Sequence, residues 1–235
     1  MNGRLYLVPS PLNDSNFDGC IPEEVKNVVG RLKYFIVEDV RTARRFLSGL
    51  KIQTPISELN FSIFNEHTPV EEVPALLSPV FQGNDVGLLS DAGMPCIADP
   101  GEELVRYAHS RDVCVVALSG SSSIFMALAA SGLSGEKFSF EGYLPVKMPE
   151  LIKTLKKLEQ SSRTEQQSKI FIEAPYRNAK MLETAVNTCM PETFLCIACN
   201  LTSDGFVKTK KIREWKNNIP DLNKKPCIFI LQSFA

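Results

Sequence analysis

Apolar and polar positions alternate in a strand–helix rhythm along the first half of the chain. Residues 5–8 (Leu-Tyr-Leu-Val) predict a strand, 22–32 a helix and 34–38 a second strand. Asp39 then predicts an N-cap for a helix running to Leu47 and closed by Gly49. Thr68, Pro69 and Glu71 mark another helix start, with Val70, Val73, Leu77 and Val80 on one face. Pro74 and Pro79 interrupt that face, which predicts a kink or two short pieces. Residues 86–89 and 113–118 predict strands with a helix over 102–110 between them, and 122–131 predicts a helix ended by Gly132. Such alternation implies a parallel sheet with helices on both faces.

The rhythm changes after about residue 119. Residues 138–143 predict a strand, Leu151, Ile152, Leu155 and Leu158 mark one helix face, and the polar stretch 161–168 reads as a loop. Strands over 170–173, 194–199, 205–212 and 227–231 surround one clear helix, 178–189. Several strands with few crossovers imply a mixed, partly antiparallel sheet. The fold class expected is therefore α/β: two α/β domains, residues 1–118 and 119–235, with a cleft between them.

Composition narrows the classes. A chain of 235 residues that is 44% apolar can bury a substantial core. No window approaches 18 uncharged apolar residues, which excludes a transmembrane helix, and residues 1–9 are too short and strand-like for a secretory signal. Seven cysteines scattered in apolar runs fit a reducing cytoplasm. Cys196 and Cys199 spell C-x-x-C within a strand pattern, where residues three apart face opposite ways, so no metal is expected there. The net charge of −1 is not that of a protein holding nucleic acid by bulk electrostatics. Local basic groups are Arg41, Arg44 and Arg45; Lys153, Lys156 and Lys157; and Lys208, Lys210, Lys211 and Arg213. The arginines suit bidentate phosphate contacts.

Chemistry concentrates in residues 90–101, Ser-Asp-Ala-Gly-Met-Pro-Cys-Ile-Ala-Asp-Pro-Gly, directly after the strand over 86–89. In an open α/β sheet ligands bind at that end of a strand. Gly93 and Gly101 allow close backbone approach, and Asp91 offers a carboxylate able to accept from a ribose diol. Asp99, followed by Pro100 and Glu102, reads as an N-cap with a capping box.

This segment resembles the signature of the tetrapyrrole methylase superfamily, and within it the branch of small-subunit ribosomal RNA cytidine-2'-O-methyltransferases. The likeness continues through Leu118-Ser119-Gly120-Ser121-Ser122-Ser123, the run 127–133, and Glu141-Gly142-Tyr143-Leu144-Pro145. Glu38-Asp39-Val40-Arg41 resembles the family's Glu-Asp-x-Arg segment, and Glu173-Ala174-Pro175-Tyr176-Arg177 its Glu-Ser-Pro-His-Arg segment. Three segments depart: Pro11-Leu12-Asn13-Asp14-Ser15 lacks the family's glycine, Ser119-Gly120-Ser121 replaces Pro-Gly-Pro, and Cys199-Asn200-Leu201-Thr202 lacks a charged pair.

The resemblance implies S-adenosylmethionine as methyl donor, lined by Pro9, Asp91, Ala92, Gly93, Ile97, Ser122 and Ser123, with Glu173 and Leu201 contributing. It implies ribosomal RNA or the small ribosomal subunit as acceptor, with Arg41, Arg44 and Arg177 holding substrate, and a cytoplasmic homodimer. A sugar hydroxyl has a pKa far above neutrality, so its methylation needs a base or charge stabiliser; Glu38, Glu66, His67 and Glu173 are the candidates, the first three preferred. Two other readings remain: methylation of a corrin or porphyrin ring, and a non-catalytic donor-binding module.

Overall fold

The computed structural model describes residues 1–13, 20–216 and 219–234. Contacts divide the chain into two compact units, Met1–Ser122 and Ser123–Ala235. Asp14 and Ser15 of the first loop fall outside the described residues.

The first unit is a parallel sheet of β1 (Arg4–Val8), β2 (Tyr34–Val37), β3 (Asn60–Ile63), β4 (Val86–Leu89) and β5 (Cys114–Ala117), in the order β3-β2-β4-β1-β5. Alternation divides each strand between two cores. Tyr6, Val8, Phe35 and Val37 pack with α1 (Glu23–Val29) and α2 (Val40–Gly49) on one face. Leu5, Ile36 and Leu88 pack on the other with α3 (Val73–Leu76), α4 (Ser78–Phe81) and α5 (Glu102–Ser110). Pro74 and Pro79 divide the apolar stripe into the two one-turn helices α3 and α4, as the sequence predicts. Strand β3 has no counterpart in the sequence reading: it lies at the sheet edge, and its polar Asn60 and Ser62 dilute the apolar signal.

In the second unit, α6 (Ser123–Ser131) leads into β6 (Phe138–Tyr143), α7 (Met148–Glu165), β7 (Ser168–Ile172), α8 (Asn178–Thr188), β8 (Phe194–Cys199), β9 (Phe206–Lys211), α9 (Ile212–Trp215) and β10 (Cys227–Gln232). The sheet order is β6-β7-β10-β8-β9; β6 and β7 are parallel and the remaining neighbours antiparallel. Helices α7 and α8 cover one face through Leu151, Leu155, Leu158, Leu182 and Ala185, and α6 covers the other. Cys196 joins the α6 core and Cys199 the opposite one, as alternation requires. Residues 161–165, expected as loop, instead continue α7. Ser162 is buried and its hydroxyl donates to the carbonyl of Gln167, while Gln166 ends the helix in the left-handed region at φ 53°. Polar residues that satisfy their own helix end carry no loop signal.

Among the described residues no helix is long and apolar enough to cross a membrane. Phe171 and Phe229 stack at 5.5 Å in the second core, both fully buried. Phe229→Ala is expected to lower stability by about 3–5 kcal/mol, read as a fall in the thermal midpoint.

Candidate functional site

Chain direction picks out one point on the first sheet. From β1 the chain runs to β2, on the β4 side; from β4 it runs to β5, on the β1 side. The connections after neighbouring strands β1 and β4 therefore leave in opposite directions on opposite faces of the sheet, which marks the carboxyl ends of these two strands as the switch point where a crevice forms.

Backbone geometry holds this point. The Ser10 N–H donates to the Gly93 carbonyl at 2.8 Å and the Gly93 N–H to the Ser10 carbonyl at 3.0 Å. The Ser10 hydroxyl adds a bond to the Ser90 carbonyl. Gly93 sits at φ +80°, and Cys96, Ala98 and Gly101 also have positive φ, so the loop bends back repeatedly. Across β1, a Cβ on Gly120 would stand 2.1 Å from the Pro9 Cβ, so only glycine lets these loops meet.

The bends gather carboxylates. Glu38, at the end of β2, accepts the Asp91 N–H at 3.2 Å. Half-burial, reinforced by the neighbouring Asp99, pushes the Glu38 carboxyl from 4.5 up to about 7. Burial and Asp91 likewise push Asp99 from 3.8 up to about 6, against a bond from Ser90. Asp91 is raised by its own burial and by Asp39, and opposed by Arg45. Asp99 is not the helix cap its sequence suggests. Helix α5 begins at Glu102 with Gly101 at the N-cap and no side-chain cap, because Gly101 at φ +135° turns the chain after Asp99. That leaves the carboxyl beside Glu38 and Asp91. The signal for a site role was present in the sequence, but the local capping pattern masked it.

The other candidates are distributed as follows. Pro9, Asp91, Ala92, Gly93 and Ile97 lie in the loops that follow β1 and β4; Asp91, Ala92 and Ile97 are exposed and Gly93 is buried. Ser122 ends the first unit and Ser123 opens α6 in the second. Glu66 and His67 follow β3 at the same sheet end, exposed, with 3.6 Å between Glu66 Oε1 and His67 Nε2. Asp39 caps α2 by accepting the Thr42 N–H, which fans Arg41, Arg44 and Arg45 over an exposed helix face. The Arg44 guanidinium lies 5.4 Å from the Phe61 ring centre.

In the second unit β7 and β8 run parallel on either side of β10, so Glu173 and Leu201 stand at one end of the sheet. Glu173 is buried and occupied by its own loop: Oε1 accepts the Ala174 N–H, and Oε2 is 3.1 Å from Arg177 Nη2. Residues that the sequence assigns to different ligands here hold each other. Ser10, Ser90 and Gly120 shape the β1/β4 switch point although the sequence reading gave them no such role, and it read Asp99 as a helix cap. Among the described residues, no group of three or more His, Cys, Asp or Glu is arranged to hold a metal.

The carboxylates leave a pH signature. The folded state holds protons on Glu38 and Asp99 that the unfolded chain, titrating at 4.5 and 3.8, has lost. Their destabilisation is complete above about pH 7 and is relieved as pH falls toward 4.5. The thermal midpoint is therefore expected to rise as pH drops from about 8 to about 5.5, and Glu38→Gln to flatten that rise. A wild-type midpoint that falls over this window contradicts the assignment.

Known proteins fit this geometry. The family model for tetrapyrrole (corrin/porphyrin) methylases matches residues 24–202. A ribosomal RNA small subunit methyltransferase I of Haemophilus influenzae is 29% identical, over 99% of this chain and 79% of that protein. Its Pseudomonas aeruginosa counterpart is 35% identical over 74% of this chain, a stretch spanning only 58% of that protein's length. The crystal structure of the methyltransferase CobJ superposes with a TM-score of 0.64 at 14% identity, over 98% of this chain and 94% of that one, which speaks for the fold. With its parallel and mixed sheets and its Gly-bent loop after β4, this chain belongs to the family of tetrapyrrole (corrin/porphyrin) methylases.

Proposed function

We propose that this protein is an S-adenosylmethionine-dependent methyltransferase that methylates a ribose 2'-hydroxyl of small-subunit ribosomal RNA. The observation that carries the reading is the cluster of half-buried carboxylates held at the β1/β4 crevice in a methylase-family chain. The names of the Haemophilus and Pseudomonas relatives support the RNA substrate.

The donor fits the residues present. Its sulfonium is a cation, and Glu38, Asp91 and Asp99 are acids short of positive neighbours, with Arg45 the one that opposes the Asp91 shift. The strongly bent Gly93 backbone gives the close approach that a flat adenosine needs. Pro9, Asp91, Ala92, Gly93, Ile97 and Ser122 of the first unit would hold it. When bound, the donor supplies an electrophilic methyl group.

The chain's own residues do the rest. Methyl transfer depends chiefly on positioning and on exclusion of water. Glu38, at about 7 in the free protein, would be held ionised once the cationic donor is beside it, and as a carboxylate at the end of β2 it would take the hydroxyl proton. Exposed Glu66 and His67, at the same sheet end, would serve as a further base or charge stabiliser. Arg41 and Arg44 would grip phosphates beside the target nucleotide. The reading includes a homodimer and a cytoplasmic location.

Purified protein, methyl-labelled donor and undermethylated small subunits should together place label on a ribose, seen after digestion to nucleosides. Glu38→Gln should lower the rate by about 100-fold or more. Label on a base, or transfer to a tetrapyrrole alone, overturns the reading.

A further inference from the structure

The near-neutral chain is two oppositely charged halves. Residues 1–122 carry 10 Lys and Arg against 16 Asp and Glu, while residues 123–235 carry 16 against 11. A charge asymmetry of this kind points to a polyanion as partner of the basic half.

On that basic half, apolar side chains stand in water at one end of the sheet. Tyr143 ends β6 and is 64% exposed, Val146 is 74% exposed, and Tyr176, just after β7, is 73% exposed. Parallel strands β6 and β7 put these positions at the same end as Glu173 and Leu201. From there a groove of about 350 Å³ runs between α7 and α8. Met148, Ile152 and Lys156, four residues apart on α7, form one wall, and Lys180, Glu183, Thr184, Asn187 and Thr188 lie along α8. Lys147 and Lys180 pair with Glu150 and Glu183 only as exposed i,i+3 partners, which are weak enough to exchange for phosphate.

We propose that this face binds a single-stranded segment of RNA, with bases stacked on Tyr143 and Tyr176 and phosphates along Lys147, Lys156 and Lys180. The inference rests on the RNA reading above and adds a docking surface to it. Exposed tyrosines interleaved with lysines suit unpaired bases, whose faces stack on aromatic rings without regard to sequence. An acidic protein would use the lysines and leave the rings idle.

The test is fluorescence anisotropy with a labelled single-stranded RNA of about 12 nucleotides, alongside the same sequence as a duplex. Tyr176→Ala should weaken single-strand binding by about 10-fold. The Lys156→Glu/Lys180→Glu pair should weaken it further and reduce the salt slope by about 0.7 for each phosphate no longer neutralised. Lys208→Glu, exposed on β9 away from the groove, should change it less than about twofold. If the wild type binds and the groove variants bind equally well, the inference falls and the RNA reading stands. If Tyr176→Ala instead shifts the mass in light scattering with RNA affinity intact, the face belongs to a second copy of the chain. A wild type that binds methyl donor but no RNA overturns both the inference and the RNA reading.

Discussion

Two backbone hydrogen bonds between Ser10 and Gly93 tie together the loops that leave β1 and β4 in opposite directions. The tie is geometrically demanding, because Gly93 must adopt φ +80° and Gly120 must lack a Cβ where Pro9 crosses it. Once made, it fixes where residues 90–101 can go. The further bends at Cys96, Ala98 and Gly101 then return Asp99 toward Ser90 and Glu38. Without the tie the loop has no reason to collect three acids at the end of a buried sheet.

That collection is costly to the fold and useful to the chemistry. Carboxylates crowded beside one another and partly withdrawn from water resist ionisation, and the raised values of Glu38 and Asp99 express that strain. Functional sites are where such perturbation concentrates. A cation entering the crevice would relieve that strain, and in the proposed reading the stability forgone in the free protein would become selectivity for a positively charged ligand. The second unit shows the opposite balance, with three lysines along α7 and Lys180 on α8, and its buried Glu173 paired with Arg177.

Much of this was legible in the chain. The parallel sheet follows from short apolar runs separated by helical periodicity, and the sequence places the candidate site in the small-residue loop after the fully buried strand β4. The Asp39 cap and the division at Pro74 and Pro79 also follow from local chemistry. What stayed hidden was non-local. The role of Asp99 depends on a positive φ at Gly101, and the approach of Pro9 to Gly120 joins positions 111 residues apart. The pairing of Glu173 with Arg177 is local, yet family likeness assigned the two to separate ligands. The charge division between units was invisible in a net charge of −1 until the boundary between them was known.

The central claim is that the carboxylates at the β1/β4 crevice receive a cationic methyl donor. Calorimetric titration with S-adenosylmethionine at about pH 6.5, repeated in two buffers of different ionisation enthalpy, tests it directly. A cation beside Glu38 and Asp99 lowers both from about 7 and about 6, so binding should release protons, and less so in Glu38→Gln. Proton uptake on binding, or no heat at high-micromolar donor, would contradict the account.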